Sequence, residues 1–293
     1  RFTRPVPGYN DGFATTSPVM SFNANSLGIH DLGGNALEWC DDEFGTKTAL
    51  LRGSSWFMGE RQSLLASHRN GMQQDARSPQ TGFRVVLEVS TASSASSLHA
   101  PTSTPQMSAP GSSELANSPA TATKDSPFVN SLGMKFVPVP GTKVLFCIHE
   151  TRRRDYQKYA VANAGVSDRW LRHNGYSLPP DEADDHPIMY VSRNEASTFC
   201  AWLTQQEKHL YRLPTDREWS IAAGLDSAED KTSSPQNLHA KSQLYPWGMT
   251  FPPPSRFANY ATSTGGPLSG YQDDAPLTSK VMQYKPDRHG LYD

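Results

Sequence analysis

The sequence predicts a loop-rich α+β fold with short strands and a few capped helices. Of its 293 residues, 21 are glycine and 23 are proline, and both residue types interrupt regular structure. Hydrophobic residues make up 36% of the chain, and the mean hydropathy is −0.59. This composition favours a core of moderate size under a polar surface over a helical bundle.

Charge and apolar content exclude several classes of protein. The net charge is −2 and the isoelectric point is near 6.5, so no basic surface for phosphate groups is expected and nucleic acid is not an expected partner. No stretch approaches the roughly 18 consecutive apolar residues that a membrane span requires. The chain starts at Arg1 without a signal-like segment, so no targeting signal indicates its compartment.

Three cysteines, Cys40, Cys147 and Cys200, occur without the CxxC spacing that a zinc site or redox motif uses. Their odd number also argues against a disulfide framework. Free cysteine packs as a small hydrophobic residue. The sequence therefore predicts buried, unreactive thiols.

A tract rich in Ser, Thr, Ala and Pro covers residues 89–125 and contains no aromatic residue. Such a composition buries too little apolar surface to offset the entropy lost on ordering. We expect this tract to be a flexible linker between two folded parts.

An internal repeat relates the two ends of the chain. Tyr9 to Asp31 aligns without a gap on Tyr271 to Asp293, and eight positions are identical. The identical residues of the first copy are Tyr9, Asp11, Thr16, Ser17, Val19, Met20, Gly28 and Asp31. Residues 1–88 are thus predicted to be the C-terminal part of one domain copy, and residues 126–293 the N-terminal part of a second, both truncated. Being complementary parts of one fold, they are expected to pack as a permuted single domain.

Two helices are predicted in the second part from capping boxes. Ser192 to Glu195 is the first, and it is followed by apolar residues at helical spacing. Thr215 to Glu218 is the second, and it leads into Trp219. Ordinary capped helices account for both patterns, and neither requires a catalytic role.

The order of several motifs in the second part resembles the formylglycine-generating (sulfatase-modifying factor) family. These motifs are His186-Pro187, Val191-Ser192, Phe199 to Leu203, Tyr211 to Thr215, Glu218-Trp219 and Tyr245 to Gly248. Leu132 to Gly141 and Ile148 to Thr151 are similar to the opening strands of that family. The resemblance covers most of residues 130–293.

Family landmarks of the C-terminal half occur in the first part. Gly28 to Cys40 resembles the family's Gly-Asn-Val-Trp-Glu-Trp signature, and Leu51 to Trp56 and Thr81 to Arg84 follow in the usual order. The resemblance implies a fold related to that of C-type lectins and a bacterial tandem-repeat protein.

Asp31 and Glu38 bracket a glycine-rich turn. Carboxylates with free carbonyls around a flexible backbone are typical of a calcium loop, whereas a turn capped by Asp31 is the alternative. The family resemblance implies that calcium is held by Asp31, Glu38 and the carbonyls of Gly34 and Ala36.

A second calcium site is implied by the same resemblance. Its ligands are Asn259, the Tyr260 carbonyl, Asp273 and the Ala275 carbonyl. Asp11 and Phe13 are the corresponding residues of the first copy. The segment from Asp273 to Ala275 departs from the Asp-Gly-Phe pattern at residues 11–13, so a simple polar turn is the alternative.

The family's oxidase activity depends on two cysteines whose thiolates bind copper(I), a soft metal. Met58 and Ser63 occupy the matching positions, and no cysteine lies between Leu51 and Glu88. Copper is therefore not expected in the first copy, and no catalytic residue is assigned there.

Three functions compete. The first is a calcium-stabilised binding or accessory module whose aromatic-lined cleft takes a peptide or small molecule. The second is a formylglycine-generating oxidase acting on a cysteine of sulfatases, with the active cysteines of the second copy beyond Asp293. The third is a sensor or scaffold fused to signalling domains such as kinases. Whether the protein is an enzyme, and which ligand it takes, stays open at this point.

Overall fold

The computed structural model describes residues 6, 9, 11–13, 15–89, 118–171, 183–254 and 257–260. Two small sheets and several short helices are joined by long irregular stretches. The strands are β1 Leu37–Glu43, β2 Thr48–Arg52, β3 Arg69–Gln73, β4 Thr81–Phe83, β5 Val86–Glu88, β6 Phe128–Val129, β7 Lys135–Pro138, β8 Val144–Cys147 and β9 Tyr211–Arg212. The α-helices are α1 Arg153–Ala162, α2 Arg193–Glu207, α3 Asp216–Ala222 and α4 Pro235–Leu238. This mixed architecture agrees with the predicted α+β class, while a relation to C-type lectins stays a prediction.

The first sheet has the strand order β3-β2-β1-β4 and comes entirely from the first part of the chain. Strands β1, β2 and β3 pair antiparallel, whereas β4 lies parallel to β1 with Leu37 opposite Thr81. Hydrophobic residues of β1 and β2 are buried, which places this sheet against the core.

The second sheet joins the two parts of the chain. Its order is β6-β7-β8-β5-β9, so β5 from the first part lies between two strands of the second. Val86 pairs with Phe146 on one side, and Leu87 pairs with Tyr211 on the other. Because backbone hydrogen bonds of one sheet cross between the parts, the expectation that they pack as one fold is confirmed. The division into truncated copies stays a prediction.

The main hydrophobic core is also shared. Trp39 and Phe83 of the first part are fully buried with Phe136, Phe199 and Tyr211 of the second. Full burial of a large apolar side chain contributes roughly 1.5–3 kcal/mol. Apolar packing therefore helps to hold the two parts together.

Both predicted capping boxes are present. Ser192 accepts the Glu195 N–H at the start of α2, and the Glu195 carboxylate accepts the Ser192 N–H at 2.8 Å. Thr215 and Glu218 form the same pair at the start of α3. Helix α2 buries the four apolar residues expected from its spacing, Ala196, Phe199, Cys200 and Leu203.

The last residues of the predicted linker, from 118 to 125, are part of the folded structure. Pro119–Thr121 forms a short 3-10 helix, and the Lys124 ammonium donates to the Ser26 carbonyl at 3.0 Å. Residues 90–117 lie outside the described part of the chain. Among the described helices, none has both the length and the apolar character needed to cross a membrane.

Candidate metal sites and the missing thiol pair

The glycine-rich turn of residues 31–36 is buried and tightly packed. Asp31 and Asn35 both have φ of 56°, and Gly34 has φ of 88°, so the turn uses left-handed backbone repeatedly. A Cβ on Gly34 would lie 2.4 Å from the Asn259 carbonyl oxygen. The Asn35 N–H donates to that same oxygen at 2.8 Å. Only glycine fits at position 34, because the turn touches the backbone of residue 259 directly.

Asp31 is buried and presents one free oxygen. Its Oδ2 accepts the Met20 N–H at 2.8 Å, while Oδ1 has no hydrogen-bond partner. Burial raises the pKa of Asp31, and the neighbouring His30 and Arg84 offset part of that rise. A buried carboxylate oxygen without a donor can take up either a proton or a cation, and the metal role expected for Asp31 stays a prediction.

Glu38 faces different partners. Its Oε1 accepts from Arg84 Nη2 at 2.6 Å and from Arg84 Nε at 3.0 Å, and its Oε2 accepts from the Trp219 indole at 3.0 Å. Both carboxylate oxygens are therefore engaged in a buried ion pair. The set formed by Asp31, Glu38 and the carbonyls of Gly34 and Ala36 fits calcium poorly, since a metal ion would have to share Glu38 with a guanidinium.

Glu150 is a residue of this turn that sequence reasoning missed. It is fully buried, and its carboxylate accepts from the Asn35 side chain at 2.7 Å and from the Ala36 N–H at 3.0 Å. Burial raises the pKa of Glu150 well above its usual value, and the charges of Asp31 and Glu38 raise it further. An acid three residues after the end of the apolar strand β8 was the available signal in the sequence.

Asn259 and Tyr260, two residues of the second predicted site, lie beside residues 11–15 of the first part of the chain. Asp11 Oδ2 accepts the Tyr260 N–H at 2.7 Å, and its Oδ1 accepts the Phe13 N–H at 2.9 Å. The Asn259 side-chain amide donates to the Thr15 carbonyl at 2.8 Å, and Asn259 Oδ1 is buried without a hydrogen-bond partner. A free amide oxygen and a buried carboxylate thus occur in one place.

Asp11 is a buried acid without a cationic partner. Only 8% of its surface is exposed, and burial raises the pKa of its carboxyl to about 7. Within the described ranges, no ion pair involves Asp11. The backbone N–H groups of Phe13 and Tyr260 offset part of the cost of burying this carboxylate, and a bound cation would offset more of it.

Asp273 and Ala275, the expected partners of Asn259 and Tyr260, lie outside the described residues. The repeat aligns Asp11 with Asp273 and Phe13 with Ala275. In the structure it is Asp11 that contacts Tyr260, and Phe13 hydrogen-bonds to Asp11. In the part of the chain that the structure describes, no group of three or more His, Cys, Asp or Glu side chains is arranged around a metal position. A site made of one Asp, one Asn and backbone carbonyls matches the oxygen ligands of calcium without such a group.

Met58 and Ser63, which the resemblance aligns with the family's two cysteines, have no thiol group. Met58 is half-buried and packs against two hydrophobic clusters, and the Ser63 hydroxyl donates to the Glu60 carbonyl at 3.0 Å. All three cysteines of the chain are buried and free, as predicted. Burial raises the pKa of Cys147 to about 12 and that of Cys40 well above its usual value, so both stay protonated.

An aromatic group lies beside the Asn259 site. The rings of Tyr245 and Trp247 stack with centroids 4.7 Å apart, and Trp247 also contacts Tyr260 at 5.7 Å and Phe257 at 5.3 Å. The Arg61 guanidinium lies 4.7 Å above the Phe251 ring. Half-buried aromatic rings with a neighbouring cation are common in sites that bind peptides or small molecules.

The sequence of the chain matches the model of a known domain family. The chain belongs to the family described as the sulfatase-modifying factor enzyme 1-like domain, whose model matches residues 1–89 and 109–293. Both parts of the chain are thus recognised by one domain description, in keeping with their shared sheet.

Relatives of the chain include proteins named as formylglycine-generating enzymes and proteins named as inactive ones. It is 29% identical over 126 residues to a formylglycine-generating enzyme of Thermomonospora curvata, an alignment that covers 42% of the chain and 35% of that relative. It is 37% identical over 86 residues to the inactive C-alpha-formylglycine-generating enzyme 2 of Bos taurus, which covers 29% of the chain and 22% of that protein.

A third relative is the serine/threonine-protein kinase pkn1 of Chlamydia caviae, 53% identical over 30 residues, which are 10% of the chain and 5% of the kinase. The chain therefore spans about a third or less of the length of these curated relatives. No solved structure gives a significant match.

Proposed function

We propose that this chain is a calcium-stabilised binding or accessory domain whose own residues do not carry out thiol-dependent oxidation. The proposal rests on Met58 and Ser63, the two residues that the family resemblance aligns with its cysteines. A thioether and a hydroxyl do not replace two thiolates as ligands of copper(I). The buried, protonated cysteines elsewhere offer no substitute.

The aromatic group around Trp247 supports the binding role. Tyr245, Trp247 and Phe257 place several ring faces and edges in one region, and Arg61 adds a positive charge. Aromatic side chains supply much contact area for little loss of conformational entropy. A peptide or small molecule with an apolar or anionic group is the ligand class that this surface suits.

Calcium is proposed at the site of Asp11, Asn259 and the backbone of Phe13 and Tyr260. The buried Asp11 carboxylate lacks a cation, and Asn259 Oδ1 lacks a donor. Calcium in this position would neutralise the first and coordinate the second. Because Asp11 and Asn259 come from different parts of the chain, the ion would also hold those parts together.

Thermal unfolding with calcium and with a chelator tests the calcium proposal. An ion at about 100 times its dissociation constant stabilises the folded state by about 2.7 kcal/mol, so the wild-type Tm is expected to rise by about 5 °C or more. Asp11→Asn removes the charge and is expected to abolish most of that rise. Asp75→Asn changes an exposed acid and is the matched control. An equal calcium response in wild type and Asp11→Asn would contradict the proposal.

A direct assay separates this proposal from the alternative of an active oxidase. The chain is incubated with copper(I), oxygen and a cysteine-containing sulfatase peptide, and the Thermomonospora curvata enzyme serves as positive control. Neither tight copper binding nor peptide oxidation is expected from the chain. Turnover would overturn the proposed function and show that thiols outside residues 51–88 serve the reaction.

A further inference from the structure

The outer edge of the first sheet is only partly covered. Strand β3 is the last strand of that sheet, and β2 pairs with one of its sides. Next to its start, the Ala240 N–H donates to the Ser67 carbonyl at 3.0 Å, and the Arg69 N–H donates to His239 Nδ1 at 3.1 Å. The segment after α4 therefore covers the beginning of the β3 edge.

The rest of the edge, from Gly71 to Gln73, has backbone groups that point away from β2. In an antiparallel pair, every second residue directs its N–H and C=O away from the neighbouring strand. The Arg69 N–H bonds to His239, and the Gly71 N–H bonds to the Asn70 side chain at 2.8 Å. Gln73 belongs to the same alternating set. Within the part of the chain that the structure describes, the Gly71 carbonyl and the Gln73 N–H have no hydrogen-bond partner.

A cleft of about 890 Å³ lies beside this free edge. Its walls include the β1–β2 turn at residues 45–47, the end of β3 at Gln73 and the α4 residue Gln236. Ligand sites in proteins typically measure about 300–1,000 Å³. The cleft is therefore large enough for several residues of an extended chain.

Primary amides dominate the lining of the cleft. Four side chains carry them, namely Gln73, Gln74, Asn194 and Gln236. Each amide offers both donors and an acceptor, and the peptide group offers the complementary pair. The lining therefore suits a ligand that is itself rich in peptide groups.

The charges of the cleft favour a basic ligand. Glu43 and Asp75 line it together with Lys47, and all three side chains are exposed. The two acids leave an excess of negative charge beside the free edge. A lysine or arginine of a ligand is attracted by this charge, and added salt weakens the attraction.

We propose that an extended, basic peptide segment of another protein adds to β3 at residues 71–73 and fills this cleft. One residue of an added parallel strand, opposite Met72, donates its N–H to the Gly71 carbonyl and accepts the Gln73 N–H. Alternate side chains of the peptide then face the cleft. A single extended chain fits between the β1–β2 turn and Gln236 more readily than the sheet of a second copy does.

The site shares no lining residue with the aromatic group around Trp247, so the inference does not depend on the proposed function.

Selection from a library of short random peptides displayed on phage tests the proposal. The full chain at low salt is the bait, and the enriched peptides are synthesised and titrated against variants. Gln73→Pro removes the outward N–H without removing a bond to β2, and an edge strand tolerates proline at such a position. The affinity of the enriched peptides is expected to fall by about tenfold or more in this variant.

Gln73→Ala is the matched control, because it removes the side chain and retains the N–H. Its affinity for the same peptides is expected to stay within about threefold of wild type. Peptides that bind Gln73→Pro as tightly as wild type would overturn the proposal, since a peptide held only by the aromatic group behaves in that way. A library that yields no binder would overturn it as well.

Hydrogen exchange of the wild-type chain covers the case in which Gln73→Pro does not fold. With a saturating enriched peptide, protection of the Gln73 amide is expected to rise by about tenfold or more. Unchanged protection would overturn the proposal. Binding of a glycan from an array at this cleft, or a dimer of the chain that Gln73→Pro dissociates, would assign the edge to another occupant and overturn it too.

Discussion

At the scale of single residues, buried arginines organise much of the polar interior. Arg84 pairs with Glu38, Arg52 pairs with Asp216, and Arg69 bridges Asp216 and Glu229. All three guanidinium groups are inaccessible to solvent. Removing one partner of such a pair leaves a buried charge and costs about 3–5 kcal/mol. The planar guanidinium forms several hydrogen bonds at once, so lysine is not an equivalent replacement at these positions.

Gly34→Ala tests the contact between the glycine-rich turn and residue 259. Gly34 has φ of 88°, and an added Cβ would lie 2.4 Å from the Asn259 carbonyl oxygen. We expect a loss of about 2–4 kcal/mol in the free energy of unfolding, measured with a chemical denaturant.

Gly165→Ala is the matched control, because Gly165 has the same φ of 88° and nothing lies within 4 Å of its added Cβ. The control is expected to lose only the backbone term, about 1–2 kcal/mol. Equal losses in both variants would show that the contact with Asn259 contributes nothing.

At the scale of elements, helix starts also serve as links between the two parts. Glu195 closes the capping box of α2 and receives a two-pronged contact from Arg77, with both N–O distances 2.8 Å. Glu218 closes the capping box of α3 and pairs with Arg212. Arg212 also pairs with Glu88 of β5, which belongs to the first part of the chain. Each cap therefore combines a local role with a tertiary one.

Glu195→Gln tests this double role through its pH dependence. Burial raises the pKa of Glu195, but the hydrogen bonds from Arg77 and Ser192 outweigh it and leave the folded-state pKa below the usual value for a glutamate. The contribution of the carboxylate is therefore present at neutral pH and lost as the pH falls below about 4.5 through the folded-state pKa.

We expect Glu195→Gln to lower the unfolding free energy by about 1 kcal/mol at pH 7, with the difference from wild type closing towards pH 3. Glu60→Gln, a change at an exposed acid, should show no such trend. A difference that is constant between pH 7 and pH 3 would refute the assigned role of the carboxylate.

Local patterns were predicted correctly, whereas partners distant in sequence were not. The capping boxes at Ser192 and Thr215 depend on residues three positions apart, so the sequence alone identifies them. Arg52 and Asp216 lie 164 positions apart, and nothing in their local sequence marks them as a pair. Likewise, the sequence around Glu38 predicts a metal ligand, and only the structure shows that Glu38 forms an ion pair with Arg84.

At the scale of the whole molecule, the folded unit is built from two parts separated by residues 89–125. The repeat predicted this complementarity, and Asp11 of the first part indeed contacts Tyr260 of the second. The sequence did not show which strands would meet, because the pairing of β5 with β8 and β9 has no local signature.

Cleavage between the two parts tests how firmly they are joined. A protease site is placed within residues 90–117, and the cut chain is passed over a sizing column under native conditions. The two fragments are expected to elute together, because they share a sheet and a core.

Leu87→Asp is the comparison variant. Leu87 is fully buried in β5, and an unpaired carboxylate there costs several kcal/mol. Its fragments are expected to separate after cleavage. Separation of the wild-type fragments without denaturant would contradict the shared fold.

The cross-part ion pairs of Arg52 and Arg69 have a consequence for ionic strength. Mobile counterions screen charges in water over about 8 Å at physiological salt, but they do not enter the space around side chains that solvent cannot reach. Concentrated salt therefore weakens the exposed contacts, such as Arg193 with Asp41, and leaves the buried ones intact. Sulfate, which also strengthens apolar burial, should therefore stabilise the packing of the two parts against each other, while the buried ion pairs between them persist.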